Sequence, residues 1–499
     1  VTWLPRLAVP LLFAVSGAAA LALEIVWFRW LTLALGSSAR ATTIVLAAFM
    51  GGIGLGSWLA GRSADRAPRR LLAWFAAAEC GIGLWSLAST VLVAHGVPRL
   101  AAGLARLLGM ESLPAAARVA LAFAALLPPT ILMGATLPWL VRWAAAAGML
   151  PARGVGLLYS LNTLGGVAGI LLATFVLIER FGLAATAALA GGADLAVAAC
   201  AFALWRGLPE TDALPEAAAP AGAPDRALFA AVTVGYFVSG FVGLGLEVAT
   251  QRILAVLAGS SVYAFAVMLA AFLLGIAAGS ALAAGLVATR WPAATLLGLT
   301  LGGLSLGAGL VLRLATMSGW GAAGRVGRSL PGLGNWSYAF ELAGYFAVLL
   351  PATLMLGAAV PLVGRVAAES RGRLGRRFGA AYAWNTAGAV LGSVTVGALL
   401  IPALGTAAAT RALVLLAGAG GIAVTLAARG PRWPALAAVA ALSGIALATG
   451  SGQDPVRRNV AELLEGMAGG KRELYFREGP VQTLTVLEVD NDVQLGHLR

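Results

Sequence analysis

Two distant stretches of this chain carry the same pair of charges in apolar surroundings. LALEIVWFRW, residues 21–30, holds Glu24 and Arg29, and LGLEVATQRI, residues 244–253, holds Glu247 and Arg252 at the same spacing. The offset from Glu24 to Glu247 is 223 residues, and it carries the match through both halves without a gap. Ser16 and Gly17 fall on Ser239 and Gly240, and the Gly-Ser-Ser run at 36–38 falls on 259–261. Phe49, Gly52, Gly56 and Ser57 fall on Phe272, Gly275, Gly279 and Ser280. Further on, LLPPTILMGATLPWLVR (126–142) matches LLPATLMLGAAVPLVGR (349–365), and GLLYSLNTLGGVAG (156–169) matches GAAYAWNTAGAVLG (379–392). Shared apolar composition does not align Glu, Arg, Tyr, Asn and Pro at one offset. The chain is an internal duplication.

The solvent decides what such a duplication folds into. Hydrophobic residues make up 60% of the chain and charged residues 11%, and the mean hydropathy is +0.89. Soluble domains carry about a quarter charged residues. Apolar runs of about twenty residues recur from end to end, each long enough to cross a bilayer as a helix. The 65 glycines and 22 prolines suit membrane helices that pack closely and break locally. The expected class is therefore an all-α polytopic membrane protein. Residues 1–206 read as a first six-helix repeat, 207–227 as a Pro/Ala-rich linker and 228–428 as a second six-helix repeat. Residues 429–450 read as a thirteenth membrane helix, and 451–499 as the start of a soluble, β-containing tail. Six is even, so both repeats keep one orientation, the parallel arrangement of major-facilitator transporters.

The net charge of +13 comes from arginine, with Lys471 the lone lysine. Its arginines lie in short loops between apolar runs, and GRSADRAPRR (61–70) and ESRGRLGRR (369–377) are the densest. Both fall on the cytoplasmic side if the N-terminus is cytoplasmic, as the positive-inside rule requires. A multi-pass protein of a bacterial inner membrane is the expected setting, with the lipid bilayer as partner. Arg99, Arg106, Arg325 and Arg328 occupy the other side. No basic strip is interleaved with base-stacking aromatics, so nucleic acid is not an expected partner. Cys80 and Cys200 sit in apolar segments far from any CxxC spacing and read as packed thiols. Arg6 and GAAALA imitate a signal peptide, but the apolar run continues into the repeat, which makes it a retained helix.

Ionised groups at membrane depth should face the bundle interior and pair. Glu24 and Arg29 stand about 140° apart around one helix, a poor geometry for pairing with each other. Across a pseudo-twofold axis Glu24 can instead meet Arg252, and Glu247 can meet Arg29. Two alternatives stand beside these reciprocal bridges: the arginines snorkel outward, or the glutamates serve a substrate or a proton directly. Tyr159, Asn162 and Thr163, with Tyr382, Asn385 and Thr386, form a candidate polar cavity. The same residues would equally join helices at small-xxx-small contacts. GGIGLG, residues 51–56, has no preceding strand and is no nucleotide loop. No catalytic constellation and no metal-ligand spacing is visible.

After residue 450 the chemistry changes. DPVRRNVAELLEGMAGG reads as a polar helix, and KRELYFREGPVQTLTVLEVDNDVQLGHLR as strands with REGP at a turn. Together with EIVWFRWLTLALGSS, VLAAFMGGIGLGSWLAGRSADR, LLPPTILMGATLP and YSLNTLGGVAG, the tail's LYFREGPVQTLTVLE resembles the bacterial membrane proteins described as fused major-facilitator/spermidine synthase-like proteins. That resemblance implies a soluble aminopropyltransferase-type domain after the membrane part, binding decarboxylated S-adenosylmethionine and a polyamine. Only its opening strands are in this sequence, and the glycine-rich loop and acidic site residues have no counterpart after Leu487. The chain as given is therefore expected to hold no cofactor and to transfer no aminopropyl group. A separate synthase-like chain is one conceivable partner.

Three readings follow. The first is a transporter-like membrane domain for a small cationic solute such as a polyamine. The second is an aminopropyltransferase whose catalytic domain lies elsewhere, and the third is a structural anchor or assembly subunit. A water-accessible cavity lined by Glu24, Asn162, Glu247 and Asn385 favours the first, and a dry, fully paired interface the third.

Overall fold

The computed structural model describes residues 3–35, 39–110, 115–207, 226–258, 262–286, 291–315, 336–369, 373–428, 432–449, 456, 472–478, 483–489 and 492–498. Residues 208–225 of the expected linker 207–227, both Gly-Ser-Ser runs, the segment with Arg325 and Arg328, and most of the expected tail helix lie outside these residues.

The first half comprises α1 (Trp3–Leu35), α2 (Ala39–Ala64), α3 (Leu71–Val91), the short α4 (Val97–Leu107), α5 (Ala115–Ala146), α6 (Pro151–Leu172) and α7 (Ile178–Arg206). In the second half come α8 (Arg226–Ala258), α9 (Val262–Leu286), α10 (Ala293–Ala315), α11 (Trp336–Ala368), α12 (Leu374–Val394), the one-turn α13 (Ile401–Leu404) and α14 (Thr406–Ala427). A last helix, α15 (Arg432–Thr449), packs on α10 and α14. Among the described residues eleven helical stretches are long and apolar enough to cross a membrane. One of them, Arg153–Arg206, has 54 residues. At 1.5 Å per residue that is more than twice a bilayer's hydrocarbon thickness. It turns back at Gly182, whose φ of 76° and ψ of 175° leave the helical region. Divided at Gly182, that stretch gives α6 and α7, each long enough to cross a bilayer by itself.

The duplication is built into the backbone. A π-helical turn at Ala173–Leu177 has its counterpart at Thr395–Leu400. Gly182 answers to Gly405, where φ is 81° and ψ 164°. Within each half, glycines press one helix onto the backbone of the next. A Cβ on Gly165 would lie 1.8 Å from the Ala14 carbonyl oxygen, and one on Gly388 would lie 2.1 Å from that of Phe237. Thr130 and Thr353 each return their hydroxyl to a carbonyl four residues back, Leu126 and Leu349. That bond satisfies the polar side chain inside its own helix, which lipid and apolar packing both require.

The halves meet along two seams, α2 with α12 and α9 with α6, which the repeat exchanges. On one, a Cβ on Gly379 would lie 2.5 Å from the Ser57 carbonyl oxygen. On the other, the Ser160 hydroxyl donates to the Ala277 carbonyl at 3.0 Å. The tail forms a three-stranded antiparallel sheet, β1 (Arg472–Glu478), β2 (Thr483–Val489) and β3 (Asp492–Leu498), in that order. Its register runs from Arg472↔Glu488 to Glu478↔Thr483 and from Thr483↔Leu498 to Val489↔Asp492. Of the expected turn REGP (477–480), Arg477 and Glu478 belong to β1, and Gly479 and Pro480 lie outside the described residues. Cys200 is exposed on α7 and Cys80 half-buried, so Cys200 is not the packed thiol its apolar setting suggested.

Candidate functional site

The two seams leave space between them on the pseudo-twofold axis. A cavity of about 260 Å³ lies there, lined by α1, α2, α6, α8, α9, α11 and α12. Its walls are mostly apolar, with Phe49, Met50, Leu269 and Phe272 among them. Glu24, Glu247, Tyr159, Asn162, Thr163, Tyr382, Asn385 and Thr386 all line it. Eight of the ten candidate residues thus face one space.

The polar residues do two jobs at once. The Asn162 amide donates to the Phe13 carbonyl at 2.9 Å, tying α6 to α1, and the Asn385 amide donates to the Tyr236 carbonyl at 2.7 Å, tying α12 to α8. Phe13 and Tyr236 are themselves repeat partners. Thr163 and Thr386 bond back to the carbonyls of Tyr159 and Tyr382. The two tyrosines cross the axis edge to face, with ring centroids 6.5 Å apart. Tyr236, 1% exposed, joins them electrostatically. All three tyrosines line the cavity. Phe28 stacks on Phe265 at 5.9 Å and Phe175 meets Tyr263 at 5.4 Å, each contact joining one half to the other.

Glu24 and Glu247 do not form the reciprocal bridges. Among the described residues no ion pair joins Glu24 to Arg252 or Glu247 to Arg29. The physical reason is helical rise: five residues carry each arginine about 7.5 Å further along its helix, beyond the cavity. The glutamates instead act on each other across the axis, with Glu24 half-buried and Glu247 8% exposed. Arg252 lies within the electrostatic reach of Glu478 at the end of β1. Glu478 in turn accepts the Thr406 amide at 3.1 Å and the Thr406 hydroxyl, capping the first turn of α14. Among the described residues no arginine, lysine or histidine lines the cavity.

A second site, missed by the repeat, joins the two halves at Asp65. Asp65, just past α2, accepts the amides of Gly375 at 3.0 Å and Arg376 at 2.8 Å in the first turn of α12. A carboxylate on a helix N-terminus is favoured by both the free N–H groups and the helix dipole. Arg142 of α5 stands 3.5 Å from the same carboxylate. Burial, the largest influence, lifts the Asp65 carboxyl above the usual aspartate range, against the two amides and Arg142. The counterpart position is Ala288, so only one seam carries this lock. Asp65 stood in the sequence as one acid in a basic loop. Its acceptors' donors are 310 residues away, and no local pattern announces them.

A duplicated, parallel twelve-helix membrane bundle with a central cavity on its pseudo-twofold axis defines the class: the chain has the major-facilitator transporter fold. It is similar to the human organic anion transporter MFSD10 (TETRAN), with a TM-score of 0.50 and 17% identity over 83% of this chain and 98% of that one. A crystal structure of the E. coli fucose:proton symporter FucP gives a TM-score of 0.48 and 10% identity, over 85% of this chain and 99% of that one. No protein-family model and no curated protein sequence matches the chain.

Proposed function

We propose that the chain is a secondary transporter whose central cavity takes a small cationic solute. One observation carries this reading: among the described residues, the cavity presents two carboxylates, Glu24 and Glu247, and no basic side chain. Carboxylates at membrane depth call for compensating positive charge, and a bound cation supplies it where the protein does not. An anionic solute would meet two acids and no counter-charge. A volume of about 260 Å³ suits a small or narrow molecule, and two acids related by a twofold axis suit a ligand with two positive ends. A polyamine is the solute that the resemblance of the tail adds. The setting we propose is a bacterial inner membrane, with the arginine-rich face of Asp65, Arg66, Arg69, Arg70 and Arg373 cytoplasmic by the positive-inside rule.

Uptake of labelled putrescine and spermidine into proteoliposomes, against an organic anion and fucose, tests this reading. Glu24→Gln and Glu247→Gln should each reduce diamine uptake at least tenfold while melting like the parent protein. Anion or sugar uptake that survives both substitutions would refute the cation reading.

A second reading draws on the tail, whose Glu478 docks onto α14 through Thr406. In that reading the membrane part anchors a synthase-like domain, in this chain or a separate one. Full-length protein would then capture a synthase-like partner through residues 472–498, and the glutamine substitutions would leave that capture unchanged.

A further inference from the structure

Away from the central cavity, a pair of acids is buried completely. Glu79 of α3 and Asp194 of α7 are 0% and 1% exposed. The Ser16 hydroxyl of α1 donates to Glu79 Oε1 at 2.8 Å. Glu79 Oε2 and Asp194 Oδ2 receive no hydrogen bond from any described residue, yet the two carboxyls lie within hydrogen-bonding reach of each other.

Two ionised carboxylates offer acceptors only, so nothing would join them. Placed together away from water they cannot both hold their charge. The backbone prevents them from separating. One turn from the acids, α3 and α7 touch glycine to glycine: a Cβ on Gly83 would lie 2.7 Å from the Gly191 carbonyl oxygen, and one on Gly191 would lie 2.9 Å from that of Gly83. No cation offers relief. From α1 comes Ser16, from α7 Asp194, and from α5 the apolar Leu132 beside Gly81. Among the described residues no other charged group acts on the pair. The missing hydrogen is a proton.

We propose that Glu79 and Asp194 form a proton-binding site, one proton shared between two carboxyls, whose occupancy holds α3 and α7 together and fixes Ser16 on α1. Nothing in the duplicate half repeats it. The counterparts of Glu79 and Asp194 are Gly302 and Ala417, and the counterpart of Ser16 is Ser239, which lines the cavity. The site is an addition to one half only, on a helix, α1, that also carries Glu24. Loss of the proton sets two like charges against each other where α3, α7 and α1 meet. The site stands whatever the cavity carries, because it is argued from the acids and their surroundings alone.

Infrared difference spectra of the full-length protein across a pH titration, with thermal melts at the same pH values, test it. The parent protein should show a protonated-carboxyl C=O band that Glu79→Gln and Asp194→Asn each remove, and its melting temperature should fall as pH rises through the titration of that band. Glu79→Gln replaces the shared proton with an amide donor to Asp194, so its melting temperature should not fall over that range. Should that variant fail to fold, Ser16→Ala serves instead, and it should shift the band by removing a hydrogen bond from Glu79. A spectrum unchanged by every substitution would overturn the proposal. Restoration of the alkaline melting temperature by sodium in place of protons would also overturn it, since the pair would then bind a metal cation.

Discussion

At the scale of single residues, Asn162 and Asn385 show how this bundle uses a polar group twice. Each amide ties a cavity-lining helix to its neighbour through a backbone carbonyl, and each also faces the cavity. Hydrogen bonds between membrane helices contribute about 0.6 kcal/mol on average and about 1.7 at most. Asn162→Ala and Asn385→Ala should therefore each destabilise the protein within that range, and by similar amounts, because the repeat gives them the same partners. Urea or thermal unfolding in detergent measures this; a loss of more than about 3 kcal/mol from either would mean the site has collapsed. The repeat made these residues visible in the sequence, since an Asn recurring at a fixed offset in apolar surroundings stands out. Glu79 and Asp194 were invisible to the same logic because they occur once. The signal that finds them is the opposite one, an acid in an apolar run with no counterpart 223 residues on.

At the scale of elements, close backbone contact sets the helix spacing, and it separates two kinds of glycine. Gly165 and Gly388 have a neighbour's carbonyl where a Cβ would go, whereas Gly51 and Gly192 have nothing within 4 Å. Alanine at Gly165 or Gly388 should cost about 1–3 kcal/mol, the usual penalty of overpacking. Alanine at Gly51 or Gly192 should be neutral or stabilise by roughly 0.5–1 kcal/mol, the helix-propensity gain. A melt series over the four variants checks both signs together. Gly182 and Gly405 matter for conformation instead. With φ of 76° and 81°, they turn the chain back between α6 and α7 and between α13 and α14. A side chain at Gly405, where φ is positive and ψ extended, would add about 1–3 kcal/mol of backbone strain beside the Glu478 cap on Thr406. Helix count and order were legible in the apolar runs, because the bilayer imposes a length on each span. The breaks at these two glycines were legible too, as interruptions of the apolar runs near 178–183 and 400–408, with Glu179 and Arg180 marking the first.

At the scale of the whole molecule, the two halves are near copies, but their closure is not symmetric. Parity of the helix count was enough to read the parallel architecture from sequence. The asymmetry depends on Asp65 of one half meeting the first turn of α12 in the other, a long-range contact that sequence spacing does not encode. Because the net effect on Asp65 is upward, the locked state binds a proton more readily than a state in which Asp65 meets water. The lock is therefore favoured below the raised value and loosens as pH rises through it. Asp65→Ala removes the acceptor for two amides of α12 and should open that face at every pH. Asp65→Asn keeps one acceptor but does not titrate, so it should stay partly closed with no pH dependence. Spin labels on Arg66→Cys and Arg373→Cys, both exposed positions flanking the seam, read this directly in a background of Cys80→Ser and Cys200→Ser. The parent protein should gain a longer distance as pH rises, Asp65→Ala should show that distance throughout, and Asp65→Asn should hold a constant mixture. A distance in the parent that lengthens on acidification would place the opening charge elsewhere and leave Asp65 as a helix cap alone.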